Sequence, residues 1–173
     1  DKLKENSKII LPGVGAFDDA INKFNNSGLR TEVEKMVLSE KKPLLGICVG
    51  MQILAESSDE GEEKGLGWIK ADVKIFDTNN IKHETKLPHM GWNTIDIRSK
   101  NDPLFFDLQF QPRFYFLHSY FFQCKDSDNI ISETQYGLKY TSSVKLDNIY
   151  GVQFHPEKSH ENGVKLLSNF AKL

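Results

Sequence analysis

The sequence of 173 residues has few cysteines, no excess of charge of either sign and no long apolar run. Its two cysteines, Cys48 and Cys124, are too few for a disulfide framework, so we expect both thiols to be reduced. The 22 basic and 24 acidic residues leave a net charge of −2, which excludes the basic surface typical of nucleic-acid or membrane binding. No run approaches the length of a membrane span, and the charged first residues are unlike a signal peptide. We therefore expect a cytoplasmic protein whose partner is a small molecule or another protein.

Strand and helix patterns alternate in the first third of the chain. Strands are expected at 8–11 and 44–47, and helices at 17–24, 29–40 and 50–57. This alternation predicts a parallel sheet covered by helices, with ligands at the carboxyl ends of the strands. The acidic segment 57–65 is expected to be a solvated loop.

The rest of the chain favours an antiparallel extension of that sheet. Strand-like runs follow one another at 71–76, 93–98, 114–122, 140–144 and 149–154, before a last helix at 162–173. The sequence therefore predicts one α/β domain over 1–173, with a parallel core, flanking helices and an antiparallel extension.

The segment Gly-Ile-Cys-Val-Gly, centred on Cys48, lies where an apolar strand gives way to a helical pattern. In a nucleophile elbow, the residues two before and two after the nucleophile are small so that strand and helix can approach, and Gly46 and Gly50 hold those positions. The amides that begin the helix would favour a thiolate at Cys48, and the Val49 N–H would donate to an oxyanion. The motif alone fits a small buried cysteine in a tight turn equally well.

The segment Val-Gln-Phe-His-Pro-Glu-Lys-Ser offers what a cysteine nucleophile needs next. A histidine carries the proton to the leaving group, and an acceptor orients that histidine. Pro156 discourages a helix, so His155 and Glu157 are expected to lie side by side on an extended segment. His-Pro-Glu alone fits a surface turn at least as well. A zinc site is not expected, because the sequence has no close ligand pair such as C-x-x-C.

Five motifs in order resemble the class I glutamine amidotransferases, and in particular the glutaminase subunits of imidazole glycerol phosphate synthases. They are PGVG (12–15), GICVGMQ (46–52), PHMGWN (88–93), LHSY (117–120) and GVQFHPEKS (151–159), which together run over nearly the whole chain. The resemblance implies a flavodoxin-like amidotransferase sheet and an enzyme that hydrolyses L-glutamine to glutamate and ammonia. In that family the ammonia passes to a (β/α)8-barrel cyclase subunit of a heterodimer, which makes imidazole glycerol phosphate in histidine biosynthesis. No cofactor or metal is implied.

The resemblance also implies roles for individual residues. Cys48 corresponds to the nucleophile, His155 to its base and acid, and Glu157 to the residue that orients the histidine. The oxyanion donors correspond to Gly13, Val14 and Val49, with the Gly13-Val14 backbone expected to rearrange before it donates. The residues expected to contact glutamine are Gln52, Ser119 and Tyr120. The edge facing the partner corresponds to Pro88, His89, Met90, Gly91, Trp92 and Asn93, although Trp92 fits an aromatic filling a crevice about as well.

One departure from the family and three alternatives qualify this interpretation. Family members begin with a βα unit bearing a Tyr-Gly-x-Gly-Asn-like loop, and about 30 residues of that kind are absent, so the first strand and helix are expected to be missing. One alternative is a glutaminase subunit that feeds a sugar amidotransferase of surface polysaccharide synthesis, which the Lys-Ser-His after His-Pro-Glu favours. The others are a hydrolase of γ-glutamyl bonds that acts alone and a regulatory subunit without catalysis. The presence of Cys48, Gln52, His155 and Glu157 argues against the last.

Overall fold

A nine-stranded sheet with helices packed against it forms the fold in the computed structural model, which describes residues 8–82 and 86–173. The strands are β1 (Ile9–Gly13), β2 (Leu44–Cys48), β3 (Ser57–Ser58), β4 (Ala71–Ile75), β5 (His89–Thr94), β6 (Asp96–Ile97), β7 (Arg113–His118), β8 (Tyr120–Cys124), β9 (Ile130–Tyr136), β10 (Leu138–Leu146) and β11 (Ile149–Val152). The helices are α1 (Phe17–Asn26), α2 (Arg30–Glu34), α3 (Val49–Gln52) and α4 (His160–Phe170). A π-helical turn, Lys35–Ser39, extends α2. Strands β5 and β7 pair separately as a two-stranded sheet.

The parallel core consists of β1, β2 and β11, with β2 in the middle. All five residues of β2 are buried, as expected of a strand that is covered on both faces. Its last residue, Cys48, lies in register with Gly13 at the end of β1. The carboxyl ends of these strands therefore meet at one edge, where the parallel topology predicts a ligand site.

The antiparallel extension runs from β11 through β10 and β8 to β4. Strand β10 also pairs with β9, which in turn pairs with β6. The predicted fold class, a parallel core with an antiparallel extension and flanking helices, is confirmed. Strand β9 was not predicted, because its apolar residues alternate with polar ones only weakly in the sequence Ile-Ile-Ser-Glu-Thr-Gln-Tyr.

The helix predicted over 50–57 is wrong beyond Gln52. The carbonyl groups of Ile53 and Ala55 accept hydrogen bonds from the Leu66 and Gly67 amides at 2.7 and 3.0 Å, so they are not available to continue the helix. A loop that returns from a distant part of the chain thus ends α3 after a single turn.

The single strand predicted over 114–122 is in fact two strands. His118 ends β7, which pairs with β5, whereas Tyr120 begins β8, which pairs with β4 in the other sheet. Ser119 lies at the crossing point between the two sheets. The apolar pattern continues through this point, so only the tertiary pairing reveals the break.

Cys48 and Cys124 are both free in this structure. In the part of the chain that the structure describes, no helix combines the length and apolar character needed to cross a membrane.

Candidate active site

Cys48 occupies a strained backbone conformation between β2 and α3. Its φ of 55° and ψ of −115° lie outside the regions that L-residues commonly adopt. A Cβ atom on Gly50 would lie 1.8 Å from the Leu11 carbonyl oxygen, and one on Gly46 would lie 2.6 Å from the Gly50 carbonyl oxygen. Both flanking positions therefore require glycine, as the elbow motif predicts.

The Cys48 thiol is almost fully buried, and its residue is 4% exposed. Burial raises the pKa of this thiol to about 11, while the Val49 backbone amide and the Gln153 side chain act in the opposite direction. Helix α3 has only four residues and cannot outweigh the loss of hydration. The amide at the start of the helix does favour the thiolate, as expected, but burial outweighs it, so Cys48 needs a base to become a nucleophile.

His155 lines the same cavity as Cys48 and is the candidate for that base. Its Nδ1 lies 2.7 Å from Glu157 Oε1, so the ring donates a hydrogen bond to the carboxylate. Its Nε2 is buried and has no hydrogen-bond partner among the described residues. This arrangement fixes the neutral tautomer in which Nε2 is free to accept a proton.

The backbone around His155 explains how it contacts Glu157. The His155 amide donates to the Tyr115 carbonyl at 2.8 Å, which joins the end of β11 to β7. Residues Pro156–Lys158 form a 3-10 turn. The expected contact between His155 and Glu157 is present, but a turn produces it in place of the extended segment that was predicted.

A cavity of about 300 Å3 joins Cys48 to His155 at the carboxyl edge of the sheet. Five other residues that the sequence predicts for the site line it: Val14, Val49, Gln52, Ser119 and Tyr120. Pro88 of the predicted partner edge lines it as well. Lining residues that the sequence did not single out for the site are Gly15, Glu60, Leu117, His118 and Lys158. The cavity thus brings together residues from most of the length of the chain.

The predicted oxyanion segment borders this cavity. Gly13 ends β1 beside Cys48, Val14 is 77% exposed, and Gly15 has a φ of 92° that favours glycine. The roles of Gly13, Val14 and Val49 as oxyanion donors stay predictions.

Gln52 lies under the cavity floor with its amide group largely engaged. Its Nε2 donates to the Tyr120 carbonyl and to Gln153 Oε1, both at 3.1 Å. Gln153 Nε2 in turn lies 3.8 Å from the Cys48 sulfur. A ligand contact is therefore left to Gln52 Oε1. Gln153 lies in the GVQFHPEKS motif, but the sequence analysis did not single it out for the site.

The predicted partner edge lies on β5, and its residues differ in exposure. Met90 is 61% and Trp92 is 39% exposed, and the Trp92 ring stacks on His160 with centroids 5.1 Å apart. His89 is only 3% exposed, since alternation along β5 turns its ring into the core between Phe116 and Tyr136. The prediction that the His89 side chain faces a partner is corrected accordingly.

The acidic segment 57–65 is largely exposed, as expected, but hydrogen bonds anchor it to the start of α1. Asp18 of α1 accepts hydrogen bonds from the Glu62 and Glu63 amides at 3.0 and 3.1 Å. Glu60 accepts a 2.8 Å bond from the Phe17 amide and presents its carboxylate to the cavity. Hydrogen bonds between residues more than 40 positions apart place this carboxylate, so no local pattern could have predicted it.

No group of three His, Cys, Asp or Glu side chains within residues 8–82 and 86–173 lies close enough to hold a metal ion.

The raised pKa of Cys48 predicts slow alkylation of the free chain. At pH 8 a thiol with a pKa of about 11 has roughly 100-fold less thiolate than one at the ordinary value of 9.0. We expect the rate of iodoacetamide labelling at Cys48 to keep rising as the pH increases from 8 to 10.5. Peptide mass spectrometry would follow the labelling, and a plateau near pH 9 would contradict the burial argument.

Comparisons with known proteins agree with this geometry. The family model described as glutamine amidotransferase class-I matches residues 1–173. The imidazole glycerol phosphate synthase subunit HisH of Leptospira borgpetersenii is 48% identical over 99% of this chain and 84% of its own length. The protein of the same name from Bdellovibrio bacteriovorus is 49% identical over 100% of this chain and 84% of its own length. The one from Sulfurimonas denitrificans is 49% identical over 99% of this chain and 82% of its own length.

Solved structures share the fold. The structure of PurLQS from Thermotoga maritima superposes with a TM-score of 0.71 at 20% identity, over 99% of this chain and 82% of that one. The glutaminase domain of Trypanosoma brucei CTPS with bound acivicin superposes with a TM-score of 0.62 at 16% identity, over 99% of this chain and 73% of that one. At such identities the likeness concerns the fold alone. The family match along the whole chain, the relatives near half identity and the cysteine elbow lead to one conclusion: the chain belongs to the class I glutamine amidotransferases.

Proposed function

We propose that this chain is the glutaminase subunit of a cytoplasmic imidazole glycerol phosphate synthase and supplies ammonia for histidine biosynthesis. The observation that carries the proposal is the cavity lined by both Cys48 of the strained elbow and His155, itself held by Glu157. The three relatives named above are all subunits of that synthase and cover at least 99% of this chain. Their names support the histidine-pathway enzyme over a sugar amidotransferase.

The reaction begins when His155 Nε2 takes the thiol proton and the Cys48 sulfur attacks the side-chain amide carbon of glutamine. The oxyanion that forms accepts hydrogen bonds from the Val49 amide and, once the Gly13-Val14 backbone has rearranged, from that segment. His155 then protonates the leaving nitrogen, the C–N bond breaks, and ammonia departs from a glutamyl thioester. A water molecule, deprotonated by His155, hydrolyses the thioester to glutamate and restores the thiol.

Glutamine also presents an α-ammonium group that needs a counter-charge. Glu60 is the acidic residue that lines the cavity, together with Ser119 and Tyr120. A carboxylate in a confined, partly dehydrated site favours an ammonium ion strongly. We assign Glu60 to the α-ammonium group, and Ser119 and Tyr120 to the rest of the amino-acid end.

Glu60→Gln is expected to raise the KM for glutamine about tenfold and to leave kcat within about threefold, because the lost charge acts on binding in both ground and transition states. The variant keeps an oxygen that accepts the Phe17 amide, so the loop stays anchored. Glu63→Gln on the same exposed loop is the matched control, and its KM should equal that of the wild type. Steady-state glutamate assays measure both, and equal KM values for the two variants would remove Glu60 from the substrate site.

The ammonia requires a partner that receives it. Near neutral pH free ammonia is mostly protonated and is not a nucleophile, which favours release into a passage that excludes water. We assign this passage to a (β/α)8-barrel cyclase subunit that docks on the exposed side of β5, where Met90 and Trp92 lie. A buried thiol with a raised pKa fits a glutaminase that is slow until such a partner engages it.

The test is glutamate formation from L-glutamine by the purified chain, alone and with a barrel-type synthase subunit and its nucleotide ligand. Cys48→Ala serves as the blank. We expect stimulation of at least about 100-fold by the partner and its ligand, and none in the blank. Full activity of the chain alone would instead indicate a free hydrolase. If the barrel subunit does not stimulate glutamate formation but a sugar amidotransferase does, the result would indicate the polysaccharide pathway.

A further inference from the structure

A continuous series of buried hydrogen bonds connects β5 with the Cys48 pocket. His89 Nδ1 lies 3.1 Å from the Tyr140 hydroxyl, which lies 3.1 Å from His118 Nε2. His118 Nδ1 lies 2.7 Å from the Tyr120 carbonyl oxygen. The same carbonyl receives the amide of Gln52, which also holds Gln153 beside the Cys48 sulfur.

The chemistry of each group fixes the direction of these bonds. The Tyr120 carbonyl only accepts, so His118 Nδ1 carries a proton and donates it. Burial lowers the pKa of His118 to about 3, so its Nε2 is unprotonated and accepts the Tyr140 hydroxyl proton. Burial also raises the pKa of Tyr140, so the hydroxyl keeps its proton. The Tyr140 oxygen then accepts from His89 Nδ1.

The remaining nitrogen of His89 ties this series to the edge strand. His89 Nε2, left as the acceptor, lies 3.3 Å from the Asn93 side-chain amide, which also donates to the Gln135 carbonyl at 3.0 Å. His89 and Asn93 belong to β5, the strand that exposes Met90 and Trp92. Hydrogen bonds thus connect Asn93 on β5 with Gln153 beside the Cys48 sulfur, and a connected buried network of this kind supports the groups at its end.

We propose that Tyr140 is a positioning residue for glutamine hydrolysis: its hydroxyl ties His89 to His118 and so fixes the Tyr120 carbonyl. This carbonyl anchors the Gln52 and Gln153 amides, and Gln153 holds the Cys48 sulfur in place. Tyr140 does not line the cavity, and its hydroxyl bonds to His89 and His118, so we assign its effect to the series. This role of Tyr140 in glutamine hydrolysis rests on the proposed function.

The experiment compares Tyr140→Phe with Tyr136→Phe. Both tyrosines lie in the aromatic cluster around His89, but the Tyr136 hydroxyl donates to the Lys86 carbonyl outside the series. In partner-stimulated glutaminase assays, we expect Tyr140→Phe, which removes both hydrogen bonds of the hydroxyl, to lower kcat about tenfold. Tyr136→Phe should keep the wild-type kcat and KM.

A purely structural role for Tyr140 makes a different prediction. It would lower the melting temperature and the fraction of titratable Cys48, while kcat per titrated active site stayed at the wild-type value. That result, or equal kcat values for the two variants, would overturn the proposal. Nitrogen-15 NMR of the wild-type chain should show His118 neutral with its proton on Nδ1, and a proton on Nε2 at pH 7 would overturn it too.

A partner-free measurement separates this proposal from the proposed function. The Gln153 amide favours the thiolate of Cys48, so loosening its anchor should slow iodoacetamide labelling of Cys48 about threefold in Tyr140→Phe and leave it unchanged in Tyr136→Phe. Two results together would refute the proposed function and support the positioning role. They are slower labelling of Cys48 in Tyr140→Phe and no partner-stimulated glutaminase activity in the wild type. Wild-type labelling rates in Tyr140→Phe would refute the positioning role even if the glutaminase activity is found.

Discussion

Cys48→Ser is expected to reduce partner-stimulated glutamine hydrolysis by about a thousandfold or more. The serine hydroxyl would have the same position in the strained elbow, but it is far less acidic and less nucleophilic than a thiol. The change tests the chemistry of the sulfur with little effect on packing. Glutamate release in the presence of the barrel subunit and its ligand provides the measurement.

The second cysteine provides the control. Cys124 ends β8, is half-buried, and its thiol contacts the Asp126 carbonyl at 3.2 Å, away from the cavity. Cys124→Ser should retain wild-type activity. His155→Gln should lose about as much activity as Cys48→Ser, and the double variant should be no worse than either one, since the two residues act as a unit. Additive losses would contradict a shared catalytic step.

Gly50→Ala is expected to lower the free energy of unfolding by more than about 3 kcal/mol, since overpacking against backbone cannot relax by a rotamer change. The new Cβ would lie 1.8 Å from the Leu11 carbonyl oxygen, so either β1 or α3 must move. For a chain of this size the loss corresponds to a fall in melting temperature of about 6–12 °C. Activity should fall as well, because β1 leads into the predicted oxyanion segment.

Gly28→Ala shows how much stability is lost when only the backbone conformation, and not steric crowding, disfavours a side chain. Gly28 has a φ of 73°, and no atom lies within 4 Å of the position that a Cβ would take. The added methyl costs only the left-handed conformation, about 1 kcal/mol, so the melting temperature should fall by about 2–4 °C with activity retained. Differential scanning calorimetry compares the two variants. A melting temperature for Gly50→Ala as high as that of Gly28→Ala would show that the elbow tolerates a side chain.

Local patterns in the sequence predicted those parts of the site that depend on neighbours along the chain. The glycines around Cys48 indicated the elbow, since crowding between a strand and the helix that follows it acts over a few residues. Pro156 placed His155 and Glu157 within reach of each other for a similar reason, although the turn that joins them differs from the predicted extended segment. The order of strands and helices likewise indicated a parallel core around β2.

Contacts between distant segments decided the rest. The carbonyl groups after Gln52 are bound by a loop that returns near Gly67, so α3 has a single turn where periodicity predicted more. Glu60 reaches the cavity because its loop folds onto the start of α1, and composition alone indicated a solvated segment. The pairing of β5 with β7 buried His89, which the motif had placed at a partner surface.

By itself, the sequence determined the class of fold and indicated a candidate nucleophile with its histidine and carboxylate, because elbows, turns and strand order arise from short-range sterics and from the spacing of apolar residues. The tertiary structure alone decided the protonation state of Cys48 and the support behind it. Burial holds the sulfur as a thiol, and the series from His89 through Tyr140 to Gln153 exists only after β5, β7 and β10 have packed together. Desolvation and long-range hydrogen bonds depend on which segments meet, and no local pattern of residues records that.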